Sequence, residues 1–372
     1  MELEKQLELL NKPAIKTIKT KYGDIYDCVD FYKQHAFDHP LLKDHNFHPK
    51  VKPTLSRIKK NSDTSITSRS STIWSKDGGC PSGTVPIKKI TKDDLLRHRR
   101  MPPPENVKFD AQFVGSNNNS EQKGSYKSAQ GRYKRAIVRT LKDPNNKFSG
   151  AGMAASLYNP RVEGEQHSAC RLKIYKGSDV LQVGWRVDPT LYGDNKTRLF
   201  IHFQAGKIHC FNTLCPGFII VNTEIPLDMS FEDSISQRGG MIWETTMYID
   251  RDVVGNWWLL IGNNYEQIGF WPHRIFTDLA GFATNVEWGG VVYCPPNVPK
   301  PPMGSGFFPS EHFDYDAYCR SIEVSDVKGE TVAIHRVITH TDNFNEYRVL
   351  FKRLKVGKKS FSFVLYGGHG GW

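Results

Sequence analysis

Leu3, Leu7 and Leu10 recur at helical spacing in ELEKQLELL, and Pro13 ends the run, so a short helix is expected over residues 2–11. Two brief runs follow, AIKTIKT and DIYDCVD, separated by Lys21-Tyr22-Gly23. They predict a β-hairpin with glycine at the turn. DFYKQHAFDHPLL is rich in turn residues, and CPSGTVPIKKITKDDLLRHRR predicts one strand and a second short helix. Beyond Ala136 the pattern changes to short alternating runs bounded by Gly, Pro, Asn or Asp. RLKIYKG, DVLQVGWRV, TRLFIHFQA, MIWETTMYI, NWWLLIG, NVEWGGVVY and SFSFVLYGG are the clearest. Such runs predict an all-β domain, an antiparallel β-sandwich, preceded by a small α+β domain. His273 to Leu279 is expected to form one or two helical turns.

Between these regions, residues 101–135 read MPPPENVKF and then a polar, basic, Gly/Asn/Ser-rich stretch. This composition predicts an exposed linker, and exposed linkers are where proteases cut. The expected organisation is 1–100, a linker over 101–135, and 136–372. The length of 372 residues also favours two domains.

Charge sharpens this division. The net charge of +11 falls wholly within residues 1–135, and the remainder is balanced. The basic third carries no nucleic-acid-binding motif, so no nucleic-acid partner is expected. No run of 18 apolar residues occurs, so no membrane span is expected. Of the seven cysteines, none forms a Cys-x-x-Cys pair, and Cys210 and Cys215 suit a tight disulfide loop better than a zinc knuckle. Asn118 and Asn195 open glycosylation sequons; with the cysteines, they favour an oxidising compartment. MELEKQLELL lacks the apolar core of a signal peptide, and the reading preferred is a secreted chain whose signal has been removed.

Taken in order, DIYDCVDFYKQHAFDHPLLKDH, CPSGTVPIKKITK, YNPRVEGEQ, GWRVDPTLYGDNKTRLF, CFNTLCPGFI, IGFWPHRIFTDLA, VEWGG and MGSGFFP resemble the neprosin family of secreted plant proteins. The resemblance covers nearly the whole chain. It implies a β-sandwich endopeptidase of the glutamic type, acid-active and cutting after proline, made with an N-terminal activation domain that inhibits it. It also implies disulfides Cys28–Cys80 and Cys210–Cys215. Members often carry a C-terminal disulfide, whose sites here read DNFNEY and GGHGGW without cysteine, so a looser C-terminal end is expected.

The family's second catalytic glutamate falls on Glu287 in NVEWGGVVY. On a strand, Glu287 shares its face with Gly289, whose missing side chain would leave room for a substrate backbone. Pattern alone would make Glu287 an outward polar residue of an amphipathic strand. The first catalytic glutamate falls in LQVGW, where this chain has Gln182, followed on the same face by Gly184. Two carboxyls can share a proton and a Gln–Glu pair cannot, yet a glutamine amide can donate to an oxyanion while its carbonyl orients water. The chemistry resembles that of fungal glutamic peptidases, which use a Gln–Glu dyad.

Other chemistries find little support. GxSxG, HExxH and phosphate-binding loops are missing. His35, His39, His45 and His48 lie in a turn-rich stretch without cysteines and read as solvated side chains, so no metal or other cofactor is expected. Trp243, Trp257, Trp258, Trp271 and Trp288 read mostly as core, with one or two facing substrate. The sequence thus predicts a zymogen whose basic pro-domain covers the cleft as an intramolecular inhibitor and lets go when carboxylates opposite it protonate. The mature enzyme would act on proline-containing peptides. The alternative is a catalytically inactive apoplastic binding protein on the same sandwich, because Gln182 replaces the first glutamate.

Overall fold

Apolar alternation becomes three antiparallel sheets in the computed structural model, which describes residues 2–55, 79–105, 133–332, 334, 336–356 and 359–371. The N-terminal unit starts with helix α1 (Glu2–Leu10) and a three-stranded sheet in the order β1 (Ala14–Lys19), β2 (Ile25–Asp30), β3 (Thr84–Lys88). Gly23 turns the first hairpin at φ +89°, a conformation glycine adopts without steric cost. Cys28 on β2 is bonded to Cys80, just ahead of β3. Helix α2 (Lys92–His98) begins in a capping box formed by Thr91 and Asp94. Leu10, Ile90 and Leu95 pack α1 and α2 together.

The second unit is a sandwich of two large sheets. One has seven strands in the order β18 (Val337–Thr341), β4 (Tyr133–Thr140), β14 (Asn285–Tyr293), β6 (His167–Lys176), β7 (Asp179–Val187), β8 (Arg198–Ala205), β9 (Ile208–Phe211). A short helix, α3 (Pro189–Tyr192), follows β7. The other sheet has ten strands. Its main path runs β10 (Ile219–Ile220), β13 (Glu266–Trp271), β12 (Trp257–Ile261), β11 (Glu244–Arg251), β5 (Gly150–Ser156), β16 (Ala317–Ser325), β20 (Lys359–Gly368), β15 (Met303–Gly304). β17 (Thr331–Val332) joins β16, and β19 (Arg348–Val356) joins β20.

Period-two alternation sends one face of each strand into the shared core. On β14 the inward residues are Val286, Trp288 and Val292, all fully buried. The indole N–H of Trp288 reaches across to the carbonyl of Gly152, and that of Trp185 to Ser156, so two buried indoles tie the sheets together. Trp257, Trp258 and Trp271 are also wholly buried. Of the tryptophans weighed as substrate-facing, Trp243 alone reaches the surface, at 38% exposure.

Several expectations change here. Both described ends of the predicted exposed linker are packed. Pro102 and Glu105 are buried, and Tyr133, Lys134 and Arg135 already belong to β4; residues 106–132, including Asn118, lie outside the described residues. The physical reason is the partner that each end finds, a carboxylate contact in one case and a sheet ladder in the other. The C-terminal end is held without a disulfide. β20 pairs with three strands, Gly371 bridges to Lys300, and buried Tyr347 donates to the Pro301 carbonyl. His273–Ile275 forms a single 3-10 turn.

Cys210 and Cys215 form the second disulfide, and Cys170, Cys294 and Cys319 are free thiols. Cys170 on β6 and Cys319 on β16 face each other across the core with their sulfurs 3.2 Å apart. A disulfide needs about 2.05 Å, so a shift of roughly 1 Å would close it. Non-reduced peptide mapping of protein held under oxidising conditions should find Cys170 linked to Cys319 and Cys294 alone. Recovery of all three as alkylatable thiols after unfolding would show that the core resists that shift.

The N-terminal unit sits on both sheets. Gln34 makes a paired contact with the backbone of Ile220, accepting from its N–H at 2.8 Å and donating to its carbonyl at 3.2 Å. Asp24 pairs with buried Arg198 at 2.9 Å, Phe47 packs edge-on against Phe270, and His98 meets the Leu191 carbonyl at 2.9 Å.

Candidate active site

The outward face of the seven-stranded sheet brings the predicted residues into one row. Lys173 on β6 pairs with Gln182 on β7 on one side and with Glu287 on β14 on the other. Directly opposed residues in an antiparallel ladder share a face. Gln182, Lys173 and Glu287 therefore lie side by side, with the Cα atoms of Gln182 and Glu287 about 9.5 Å apart, two ordinary strand spacings. His202 and Arg139 extend the row at its two ends.

Glu287 is 3% exposed and densely engaged. Its Oε2 accepts from Arg171 Nη2 at 2.8 Å and lies 3.8 Å from Lys173 Nζ, while its Oε1 accepts from the Tyr175 hydroxyl at 3.2 Å. Burial raises its proton affinity, but Lys173, Arg171 and Arg135 outweigh burial and the repulsion of a nearby carboxylate, so Glu287 is held below the usual carboxylate range. Gln182 is 6% exposed, and its amide has no hydrogen-bond partner among the described residues.

Arg171 occupies the next outward position on β6, opposite Gly184 and Gly289. These are the glycines expected to leave room for a substrate. The structure gives them a nearer reason: an added Cβ would lie 1.9 Å from the Cys170 carbonyl at Gly184 and 2.5 Å from the Ala136 carbonyl at Gly289, where φ is also +134°. Close strand approach comes first, and the space it leaves flanks the Arg171 side chain.

The carboxylate beside Glu287 is Glu105, from the segment that leaves the N-terminal unit. Its two oxygens take Arg171 Nε at 3.0 Å and Nη2 at 2.8 Å, a bidentate pair, with Lys173 Nζ at 3.6 Å and Arg135 at 4.0 Å. Burial opposes its ionisation, yet Arg171 and Lys173 prevail and hold Glu105 well below its ordinary range. The sequence pointed to a basic cover over an acidic site. Here the charges are reversed, for the cover contributes the carboxylate and the cleft the cations; Asp24 on Arg198 repeats the arrangement. Arg171 Nη1 is buried without a partner among the described residues.

The remaining candidates lie apart from this row. Asn195 is exposed in the loop between α3 and β8. Among the histidines expected to be solvated, His35 is instead buried and meets Asp38 at 2.7 Å, and the His45 ring stacks on Phe37. The four do not gather, and among the described residues no cluster of three or more His, Cys, Asp or Glu could hold a metal. A cavity of about 290 Å³ lined by Thr54, Leu55 and Asp250 to Val253 lies away from Glu287 and Gln182. Sequence reasoning missed Glu105, Arg171 and Lys173. The available signal was CRLKIYK, a strand on which two cations at one face alternate with the apolar residues Cys170, Leu172 and Ile174 at the other.

Two family models match this chain: Neprosin over residues 164–369 and Neprosin activation peptide over residues 17–137. Among solved structures, Scytalido-glutamic peptidase with a peptide-based transition state analog is similar at 11% identity and a TM-score of 0.33, covering 64% of this chain and 97% of that one. SCP-B, a member of the Eqolisin family of peptidases, in complex with the tripeptide Ala-Ile-His, is similar at 11% identity and a TM-score of 0.32, covering 62% and 96%. A β-porphyranase from Bacteroides plebeius is similar at 6% identity and a TM-score of 0.21, covering 44% and 66%. The Neprosin model matches more than half of this chain, behind a segment matched as the activation peptide, and the chain belongs to the neprosin family.

Proposed function

We propose that the chain is a secreted, acid-active endopeptidase precursor that cuts proline-containing peptides, with Glu287 as base and Gln182 as oxyanion donor. The observation that carries this reading is the shared row, in which Gln182 and Glu287 both oppose Lys173 on one face. Glu287 takes a proton from water, whose oxygen attacks the scissile carbonyl. The Gln182 amide N–H donates to the developing oxyanion, and the proton then passes to the leaving nitrogen as the C–N bond breaks. The cations beside Glu287 suit work in acid, because they keep the base ionised where an ordinary carboxyl would protonate.

The second reading, a binding protein without catalysis, draws on the tight Arg171–Glu287 pair and on the glutamine at 182. Incubation of the acid-processed protein with a proline-rich peptide at pH 3 and at pH 7 separates the two. Cleavage in acid supports the enzyme, and intact peptide at both values supports the binder.

Gln182 tests the donor role. In an active enzyme, Gln182→Ala should lower kcat by about 10²–10³, or roughly 2.7–4 kcal/mol, the cost of one oxyanion donor. Gln182→Glu should raise activity in acid, where the pair can share a proton, and leave it unchanged or lower near neutrality. Equal rates for Gln182→Ala and parent would remove Gln182 from the mechanism.

A further inference from the structure

The cleft next to Glu287 already contains a peptide. Residues 101–105 read Met-Pro-Pro-Pro-Glu. Met101 packs against the aromatic cluster that includes Tyr133, Phe200 and Tyr293, and the Pro103 carbonyl accepts from the Tyr133 hydroxyl at 2.7 Å. Two residues later Glu105 reaches Arg171 and Lys173. A proline-rich segment thus runs from the aromatic cluster to the face of Glu287, where its acid enters a cationic pocket.

The charges in that pocket balance only with this acid in place. The side chains of Arg171 and Lys173 are 0% and 2% exposed, and between them they have two carboxylates, Glu287 and Glu105. Arg135, at the rim, has its own partner in Asp342 at 3.0 Å. If Glu105 withdraws, two buried cations share Glu287 alone, and an unmatched buried charge is costly. Arg171 Nη1 adds a buried donor without a partner among the described residues.

We infer that Arg171 and Lys173, with Arg135 at the rim, form a subsite for an acidic side chain, held by Glu105 in the precursor and by a glutamate or aspartate of the substrate afterwards. The preferred peptide would carry the acid directly after a proline, as Pro104-Glu105 does. This deepens the peptidase reading and rests on it for the cleavage, though not for the binding. Glutamate and aspartate both present the planar pair of oxygens that the Arg171 fork matches, and amides or lysine do not.

The test compares Ac-Pro-Pro-Pro-Glu-Ala-Ala-amide with peptides carrying Gln or Lys at the fourth position, near pH 6, where the carboxylate is ionised. Binding and cleavage are both measured, on the acid-processed protein and on full-length Glu105→Ala, in which the pocket is vacated without processing. The Glu peptide should bind and be cut about 10- to 100-fold better than the Gln peptide, the range of a charge-assisted hydrogen bond, with the Lys peptide poorest. Lys173→Gln should narrow the Glu-over-Gln ratio. Equal binding and equal rates for Glu and Gln peptides would overturn the subsite while leaving the peptidase intact. A binding preference for Glu with no cleavage at any pH would keep the subsite and overturn the peptidase. If Glu105→Ala does not fold, the processed parent gives the same comparison.

Discussion

Glu287→Gln should leave a folded protein that cuts nothing, with kcat/KM at least about 10³-fold below the parent, within the range that loss of a positioned base produces. Glutamine nearly matches glutamate in volume, its carbonyl can still accept from Arg171, and its amide N–H can donate to the Tyr175 hydroxyl oxygen, so near-UV circular dichroism should stay close to that of the parent. Water at the site would then have no base within reach. In the parent, the acid limb should follow a single ionisation at this site, because Gln182 cannot share a proton with Glu287. The limb should lie below the usual carboxylate range, since the cations favour the ionised form. Removal of Glu105 lowers it further, for burial and, after it, the Glu105 charge oppose ionisation of Glu287. A Glu287→Gln protein that cleaves as fast as the parent would end the assignment.

Acid should also undock Glu105, and Glu105→Gln should abolish that dependence. The carboxyl is held well below its ordinary value when docked, where it faces Arg171 and Lys173 from β6, Glu287 from β14 and Arg135 from β4. A depressed group contributes its full stabilisation above its free value, about 4.3. That contribution is lost as pH falls from there through the docked value. Breaking a buried charge pair costs about 3–5 kcal/mol, so opening should become roughly 10²–10⁴ times more favourable across the whole window. The rate at which peptidase activity appears, followed from pH 6 down to pH 3, reports it. The parent should accelerate as pH falls through the carboxylate range. Glu105→Gln should become active at near-neutral pH at a rate with little further response to acid. If both proteins show the same pH dependence, release is governed elsewhere, for example at Asp24–Arg198.

The strands of the sandwich were legible because alternation is a local signal. Val286, Trp288 and Val292 point inward and Glu287 outward by period alone. The N-terminal hairpin was legible from Gly23, and the second helix was expected in TKDDLLRHRR, where the structure adds a capping box at Thr91. Glu105 was not, because nothing in MPPPENVKF indicates what an acid there will meet. Its partners stand 66 and 68 positions further along, on a strand whose outward face looked like any solvated row. The same lack of long-range information made residues 101–105 read as an exposed linker, and made a chain end without a disulfide look loose. A basic N-terminal third suggested a basic cover, but net charge says little about Glu105, the side chain that meets Arg171 and Lys173. The glycines at 184 and 289 were found by spacing, while their reason, strand contact, needed three dimensions.

β20 has a consequence for biosynthesis. It is the last strand in chain order, yet it lies inside the ten-stranded sheet, bonded to β15 and β16, with β19 alongside. On a ribosome, that sheet cannot complete until nearly every described residue has emerged. The Cys28–Cys80 hairpin and the α1–α2 contact need only residues up to about α2, so these parts of the N-terminal unit can form while most of the sandwich is still unmade. Glu105 is therefore made before the Arg171 and Lys173 pocket exists, and the nascent chain need never pass through a state in which that pocket stands finished and open. A stop codon shortly before β20 would leave Ala317–Arg320 of β16 as an unpaired edge in a half-built sheet, a product that quality control should remove, whatever the state of the Gln182–Glu287 row.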